Sequence, residues 1–376
     1  MTSLSELTAR ELGPAHEAAY LNHAASSPLP RRSAEALRKY AADRERLFGL
    51  YQGGRQDYDS GPLRVKLGQL LGGAPADRVA LVPTTTDGIA GVLNGIDWRP
   101  GDNVVVPANE FPGVLYACLN LVRRGVAVKQ VPVERHLDLG RLAEQVDPRT
   151  RAVAVSHVHW HTGHRIDLEQ LGRICPASGP LSIVDAIQSL GQIAVEPGGA
   201  GIDVVVAGSY KWLMGVAGTA VLYTSERALA EIVPDRAGWT SMKTSVHGVP
   251  ELVWAPGASR WHVGGQADPV LIALEPSIDL LLEIGVPAIV RQTRALTDRL
   301  AAGLPSGYMV HSSLDPDHRS GILSIGTGDR GRDDRLAVDL VAGGVIVARR
   351  GGGIRVSPHW HNTEAEIDRL LEALSR

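Results

Sequence analysis

From residue 79 to residue 223, short apolar runs alternate with helical patterns, and few architectures accommodate that alternation. Strand-like runs fall at 79–82, 103–106, 126–131, 151–157, 181–184, 202–207 and 218–223, and helical periodicity fills 87–94, 111–123, 139–145 and 168–174. Several of these runs are apolar at nearly every position, the pattern of strands covered on both faces. Helical crossovers between them return the chain in parallel. The expected fold is α/β, a mostly parallel sheet with helices on both faces.

The flanks differ from this repeat. Residues 1–19 read as a helical or frayed arm, 20–30 as a turn-rich loop, and 34–50 and 61–71 as helices separated by a break at 52–55. After Ser225 comes an irregular region, 233–265, rich in Gly, Pro, Trp and His, which suits an active-site cover or an interface. One long helical stretch, 269–300, then leads to strands near 308–311, 322–325, 345–348 and 354–357 with helices at 333–341 and 364–374. The predicted organisation is an arm (1–19), a large domain (20–268) and a smaller C-terminal α+β domain (269–376).

In open sheets of this kind, ligands sit beyond the carboxyl ends of the strands. Two of those ends carry charge. Asp185 closes the run 181–184, and Gly208-Ser209-Tyr210 delivers Lys211 just past 202–207. An acid and a lysine facing one crevice suit pyridoxal phosphate, which needs a lysine for its Schiff base and a carboxylate to keep its pyridine nitrogen protonated. A solvated pair at two strand ends fits the spacing equally well. Lysine is scarce: Lys39, Lys66, Lys129, Lys211 and Lys243 are the whole set, and of these Lys211 alone directly follows a strand-like run and precedes a Gly-rich turn.

Other segments add chemistry, each with a bland alternative. Thr84-Thr85-Thr86 follows a strand and opens a helix, so its hydroxyls and the helix amides suit a phosphate, or Thr85 or Thr86 is simply the N-cap. Phe111, after the next strand, is placed to stack on a planar ring or to pack. His157, His159 and His161 would share one face of an extended strand and could hold a metal, but the strand is expected to end near His159 and scatter them. One or two of these imidazoles, with Trp160, would then line the crevice. Gly326-Thr327-Gly328-Asp329-Arg330-Gly331 is a literal GxGxxG and raises an NADP-dependent oxidoreductase as an alternative. Too little chain follows it for a doubled nucleotide-binding sheet, and a solvated turn also accounts for it. Arg355, flanked by apolar residues on a short strand, needs an anion, either a substrate carboxylate or an internal partner.

A formal net charge of -3 gives no electrostatic footprint for nucleic acid or an anionic membrane, and 44% hydrophobic with 21% charged residues is ordinary globular composition. No basic leader and no long apolar segment is apparent, and the two cysteines, Cys118 and Cys175, have no metal or CxxC spacing. A cytoplasmic protein is expected.

Taken together, YLNHAASSPLP at 20–30, TTTDG at 84–88, ANEFPGVLY at 108–116, HTGHRIDL at 161–168, VDAIQSLG at 184–191, GSYKWLMG at 208–215 and IRVSPHWHNTEAEID at 354–368 resemble the class V aminotransferase group of pyridoxal-phosphate enzymes. That group includes cysteine desulfurases, kynureninases and isopenicillin N epimerase-like proteins. The resemblance implies fold type I, a homodimer and a small amino-acid-type substrate. It implies that Lys211 forms the internal aldimine and shuttles the Cα proton through a quinonoid, that Asp185 pairs with the pyridinium, and that Gln188 contacts the ring hydroxyl. Thr85, Thr86 and Tyr210 would hold the phosphate, Phe111 would stack on the ring, and Arg355 would bind the substrate carboxylate beside the Asn22-His23 loop. Gly264-Gly265 stands where similar proteins carry Gly-Thr reaching the partner's phosphate, so Gly265 is the counterpart of that contact. Desulfurases place a persulfide-forming cysteine shortly before the substrate arginine, and residues 348–353 contain none. The expected reaction leans to β-elimination or carbon–sulfur lysis, with aminotransfer and epimerisation as alternatives.

Overall fold

The computed structural model describes residues 3–13, 18–47, 58–243 and 251–376. The break expected at 52–55 lies outside the described residues, as does the end of the helix expected to reach residue 50. The strands are β1 (Ala19–Tyr20), β2 (Val79–Val82), β3 (Asn103–Pro107), β4 (Ala127–Val131), β5 (Thr150–Ser156), β6 (Leu181–Asp185), β7 (Val204–Gly208), β8 (Ala220–Thr224), β9 (Met309–Val310), β10 (Leu323–Gly326), β11 (Val345–Ile346), β12 (Ala348–Arg350) and β13 (Gly353–Val356).

Seven of them form one sheet in the order β2-β8-β7-β6-β5-β3-β4. It is parallel except for β8, which runs antiparallel to both β2 and β7. The carboxyl ends of β2, β3, β5, β6 and β7 therefore open on one edge. Every residue of β2, β3, β6, β7 and β8 is buried, which explains their unbroken apolar pattern. Two hydrophobic clusters fill the two sides of this sheet. Over its middle, the helix Thr85–Gly95 approaches closely because Gly88 has no Cβ; one built there would lie 2.8 Å from Val206 and 3.1 Å from Val82.

A second, four-stranded antiparallel sheet, β12-β13-β10-β9, forms the smaller unit. The N-terminal segment belongs to it as well: β1 pairs in parallel with β11, Ser357 N–H donates to Leu21 carbonyl at 2.8 Å, and Leu21 lies in the smaller unit's core. The run expected as one strand at 345–348 is two, β11 and β12, on different sheets.

The helix expected over 269–300 is two helices, Asp268–Ile284 and Val286–Gly303. Gly285 sits at φ 80 and Pro287 starts the second helix, so the axis breaks there. Leu271, Leu274 and Ile278 pack in the core of the large sheet, whereas Leu296 and Leu300 pack in that of the small one. Ile289, early in the second helix, still packs with the large sheet, so the change from one core to the other falls between Ile289 and Leu296. Among the described residues no helix is long and apolar enough to cross a membrane.

Candidate active site

Lys211 follows β7 on a tight turn. Gly215 N–H donates to Ser209 carbonyl at 2.8 Å and Met214 N–H to Lys211 carbonyl at 3.0 Å. Met214 is held at φ 53, the one non-glycine residue with positive φ among the described residues. The turn thus fixes the backbone from which the Lys211 side chain projects. Lys211 is 7% exposed, and its Nζ lies 5.8 Å from the ring centroids of both Phe111 and Tyr210. Burial holds its ammonium below the usual lysine range, a shift opposed by Asp185 and reinforced by Arg355 and Arg350. Asp185, the last residue of β6, is buried opposite, and its Oδ1 accepts from Ile187 N–H at 2.9 Å. Burial raises its carboxyl, and the neighbouring Glu110 raises it further.

The helix Thr85–Gly95 starts beside this turn. Its N-cap is Thr84, whose hydroxyl accepts from Asp87 N–H at 2.9 Å; neither Thr85 nor Thr86 is the cap. Thr85 Oγ1 is buried with no hydrogen-bond partner. The glycines opposite make the space: a Cβ at Gly208 would come within 3.1 Å of Thr85 Oγ1, and one at Gly113 within 2.4 Å of Thr86 Oγ1. An orphaned buried hydroxyl at a helix start, walled by glycines, fits a phosphate.

Phe111 does not continue into the helix as its pattern suggested. It is the residue before Pro112–Leu119, and the chain beyond runs on as a 3-10 turn, Asn120–Arg124. Its ring, 39% exposed, meets Trp160 edge-on at 6.1 Å, so it forms a platform at the mouth of the crevice. Gln188 is buried: its Nε2 donates to Ala24 carbonyl at 2.9 Å and its Oε1 accepts from Trp212 Nε1 at 2.9 Å, which leaves one amide proton uncommitted. Tyr210 carbonyl accepts from Ser27 N–H, tying the N-terminal loop to the lysine turn.

Arg355 reaches in from β13 and is 2% exposed. It pairs with no carboxylate among the described residues; Nη1 donates to Trp160 carbonyl at 2.7 Å, Nη2 to Asn22 Oδ1 at 3.4 Å, and Nε has no partner. The internal ion pair is thus absent, and a buried guanidinium with an open face calls for an external anion. Asn22 stands beside it. His23 does not: it is wholly buried, its ring 2.9 Å from Ser27 Oγ and packed edge-on against His359 and His361, so it supports the loop from beneath.

The remaining candidates disperse. β5 ends at Ser156, so the three imidazoles part: His157 is buried, His159 contacts Thr162 Oγ1 and Asn109 carbonyl, and His161 lies 3.2 Å from Ser324 Oγ. Among the described residues no group of His, Cys, Asp and Glu could hold a metal. In the GxGxxG stretch, Thr327 N–H is already bound by Asp333 and the strand before it is antiparallel to both neighbours, so no nucleotide-binding crossover exists there. Gly265 is exposed at the end of the irregular region. Between β12 and β13 the chain turns on Gly351 and Gly352, at φ 55 and 82, and a Cβ at Gly351 would fall 2.0 Å from the His161 ring. The region that would carry a reactive cysteine is a tight hairpin whose two tip residues sit at positive φ, a conformation that disfavours any residue but glycine. Cys118 and Cys175 are both buried, and burial pushes each thiol up to about 12. Residues without a sequence assignment also matter here: Met214, and Glu110, whose single signal was a lone acid directly after a buried strand.

The family described as Aminotransferase class-V matches residues 19–370. A probable cysteine desulfurase of Methanothermobacter thermautotrophicus is 30% identical over 80% of this chain and 79% of its own length. The isopenicillin N epimerase of Streptomyces clavuligerus is 26% identical over 83% of this chain and 82% of its own. Among solved structures, the cystine C-S lyase C-DES in complex with its reaction product cysteine persulfide superposes with a TM-score of 0.85 at 23% identity, covering 96% of this chain and 97% of that one. That last likeness is one of fold.

Replacing Thr85 by Val removes an unpartnered buried hydroxyl at nearly constant volume. The unliganded protein should gain about 1 kcal/mol in urea unfolding while inorganic phosphate protects it less. A loss of unliganded stability would mean that the hydroxyl already has a partner within the chain.

Proposed function

The chain belongs to the class V aminotransferase family of pyridoxal-phosphate enzymes, and from that membership we propose that it is a carbon–sulfur lyase acting on an amino acid bearing sulfur at Cβ. One observation supports the choice of reaction: residues 348–353 carry no cysteine through which a desulfurase would pass sulfur, and the hairpin there turns on Gly351 and Gly352 at positive φ. The cystine C-S lyase named above, whose reaction product is cysteine persulfide, is a relative in fold.

The residues fit the cofactor. Thr85, Thr86 and the first helix amides, with Tyr210, would hold its phosphate; Phe111 would cover its ring, Gln188 would use its spare proton on the ring hydroxyl, and Asp185 would keep a proton on the ring nitrogen. When bound, pyridoxal phosphate supplies an electron sink that weakens the bonds of the substrate's Cα. Arg355, whose buried Nε has no partner, would bind the α-carboxylate, and Asn22 and Trp160 carbonyl fix the guanidinium plane. Lys211, whose burial favours the neutral amine, takes the Cα proton; its range of motion, set by the Met214 turn, keeps it over one face. The Cβ–S bond then breaks with its electron pair leaving on sulfur, and Lys211 or solvent returns a proton to that sulfur. A second copy of the chain would cover the exposed Trp239, Leu252 and Val253 of the irregular region, which supports a homodimer.

Lys211→Ala should lose the visible absorbance of the holoenzyme and about a thousandfold or more in turnover. With cystine as substrate the wild type should yield pyruvate, ammonia and a persulfide; an amino-acceptor product or an inverted Cα would point to aminotransfer or epimerisation instead. The double variant Cys118→Ala, Cys175→Ala should retain turnover, because both thiols are buried and protonated; loss of sulfur release with folding intact would restore the desulfurase reading. Sedimentation should give twice the chain mass, and a monomer at assay concentration would remove the homodimer.

A further inference from the structure

Glu110 is buried, precedes Phe111, and is paired with no lysine or arginine among the described residues. Its carboxylate accepts three hydrogen bonds: Oε1 from Phe111 N–H at 2.7 Å and from Ser156 Oγ at 2.5 Å, and Oε2 from Ser156 N–H at 2.7 Å. Ser156 ends β5 and lies directly across from Asp185 in the β5–β6 register. One side chain thus joins the backbone of the ring platform to the strand end beside the acid that faces the cofactor.

We propose that Glu110 is a positioning residue, a buried anion that pins Phe111 over the cofactor ring and holds its charge beside the strand end that carries Asp185, without touching substrate. The inference rests on the pyridoxal-phosphate reading above. Two of the three donors are backbone N–H groups, which cannot accept, so they favour the ionised carboxylate. Burial works the other way and raises its carboxyl. The facing groups are few: Asp185 at the end of β6, Ser156 on β5, and Cys118 on the helix Pro112–Leu119, whose thiol feels both burial and the Glu110 charge. Asp185 is faced in addition by Lys211 and Tyr210 from beyond β7. An uncompensated negative charge beside Asp185 makes it, and any nitrogen paired with it, bind a proton more tightly. Removing that charge lowers the proton affinity of Asp185.

Glu110→Gln removes the charge and keeps the volume; Glu110→Asp keeps the charge and shortens the reach to Phe111. In the full-length holoenzyme, the pH midpoint of the cofactor's visible absorbance should fall by about one unit in Glu110→Gln and stay at the wild-type value in Glu110→Asp. The dissociation constant for pyridoxal phosphate should rise about tenfold in both, because Phe111 is no longer fixed. A residue with a merely structural role would weaken binding in both variants and leave both midpoints alone, and that result overturns the proposal. Should the variants not fold, carboxyl NMR of wild-type protein with isotope-labelled glutamate decides it: Glu110 ionised at neutral pH supports the proposal, and Glu110 protonated there overturns it. A wild type with no visible band would overturn the pyridoxal-phosphate reading and this inference with it, whereas a wild-type band with an unshifted Glu110→Gln midpoint overturns this inference alone.

Discussion

Burying an ammonium and a carboxylate in one crevice is the constraint on which the rest of the site depends. Taken from water, each group would shed its charge, and the directions of their shifts show that tension: Lys211 is pushed towards the amine and Asp185 towards the acid. A solvated pair at two strand ends would feel neither. The large sheet makes the burial possible, because parallel strands covered on both faces end together at one edge and hold their last residues rigidly. The Met214 turn adds a local strain that the surrounding packing, with Trp212 and Leu213 wholly buried, maintains.

The smaller unit completes the crevice by supplying a second kind of charge. Arg355 crosses from β13 to Trp160 carbonyl, and the N-terminal segment that pairs with β11 brings Asn22 to the same guanidinium. His359 ties the two units further: its Nδ1 accepts from Trp360 N–H, so Nε2 carries the proton and donates to Trp212 carbonyl at 3.1 Å, next to Lys211. Arg355 and Lys211 are thereby held in one framework.

Much of the fold and of this site was legible in the residues. The seven apolar runs of the large sheet, the placement of Asp185 and Lys211 at its edge, and the need of Arg355 for an anion all follow from burial and charge applied locally. What misled was local pattern without its partners. The region 269–300 reads as one helix because Gly285 and Pro287 are tolerable in isolation, yet together they break it. The GxGxxG stretch has the right local context, but its strand pairs antiparallel and Asp333 fills its amide. His23 looks like a polar loop residue until His359, His361 and Trp212 pack around it and bury it.

The sequence by itself determined the parallel sheet, because strand periodicity acts over short distances, and its motifs in order carried the resemblance to the family. Only the tertiary structure decided which polar groups are left without a partner. Thr85 Oγ1 and Arg355 Nε are orphans, Gln188 keeps one proton, and Glu110 is spoken for three times over by neighbours 1 and 46 residues away. Whether a buried polar atom is satisfied depends on every segment that folds around it, and that sum is not written in any one stretch of the chain.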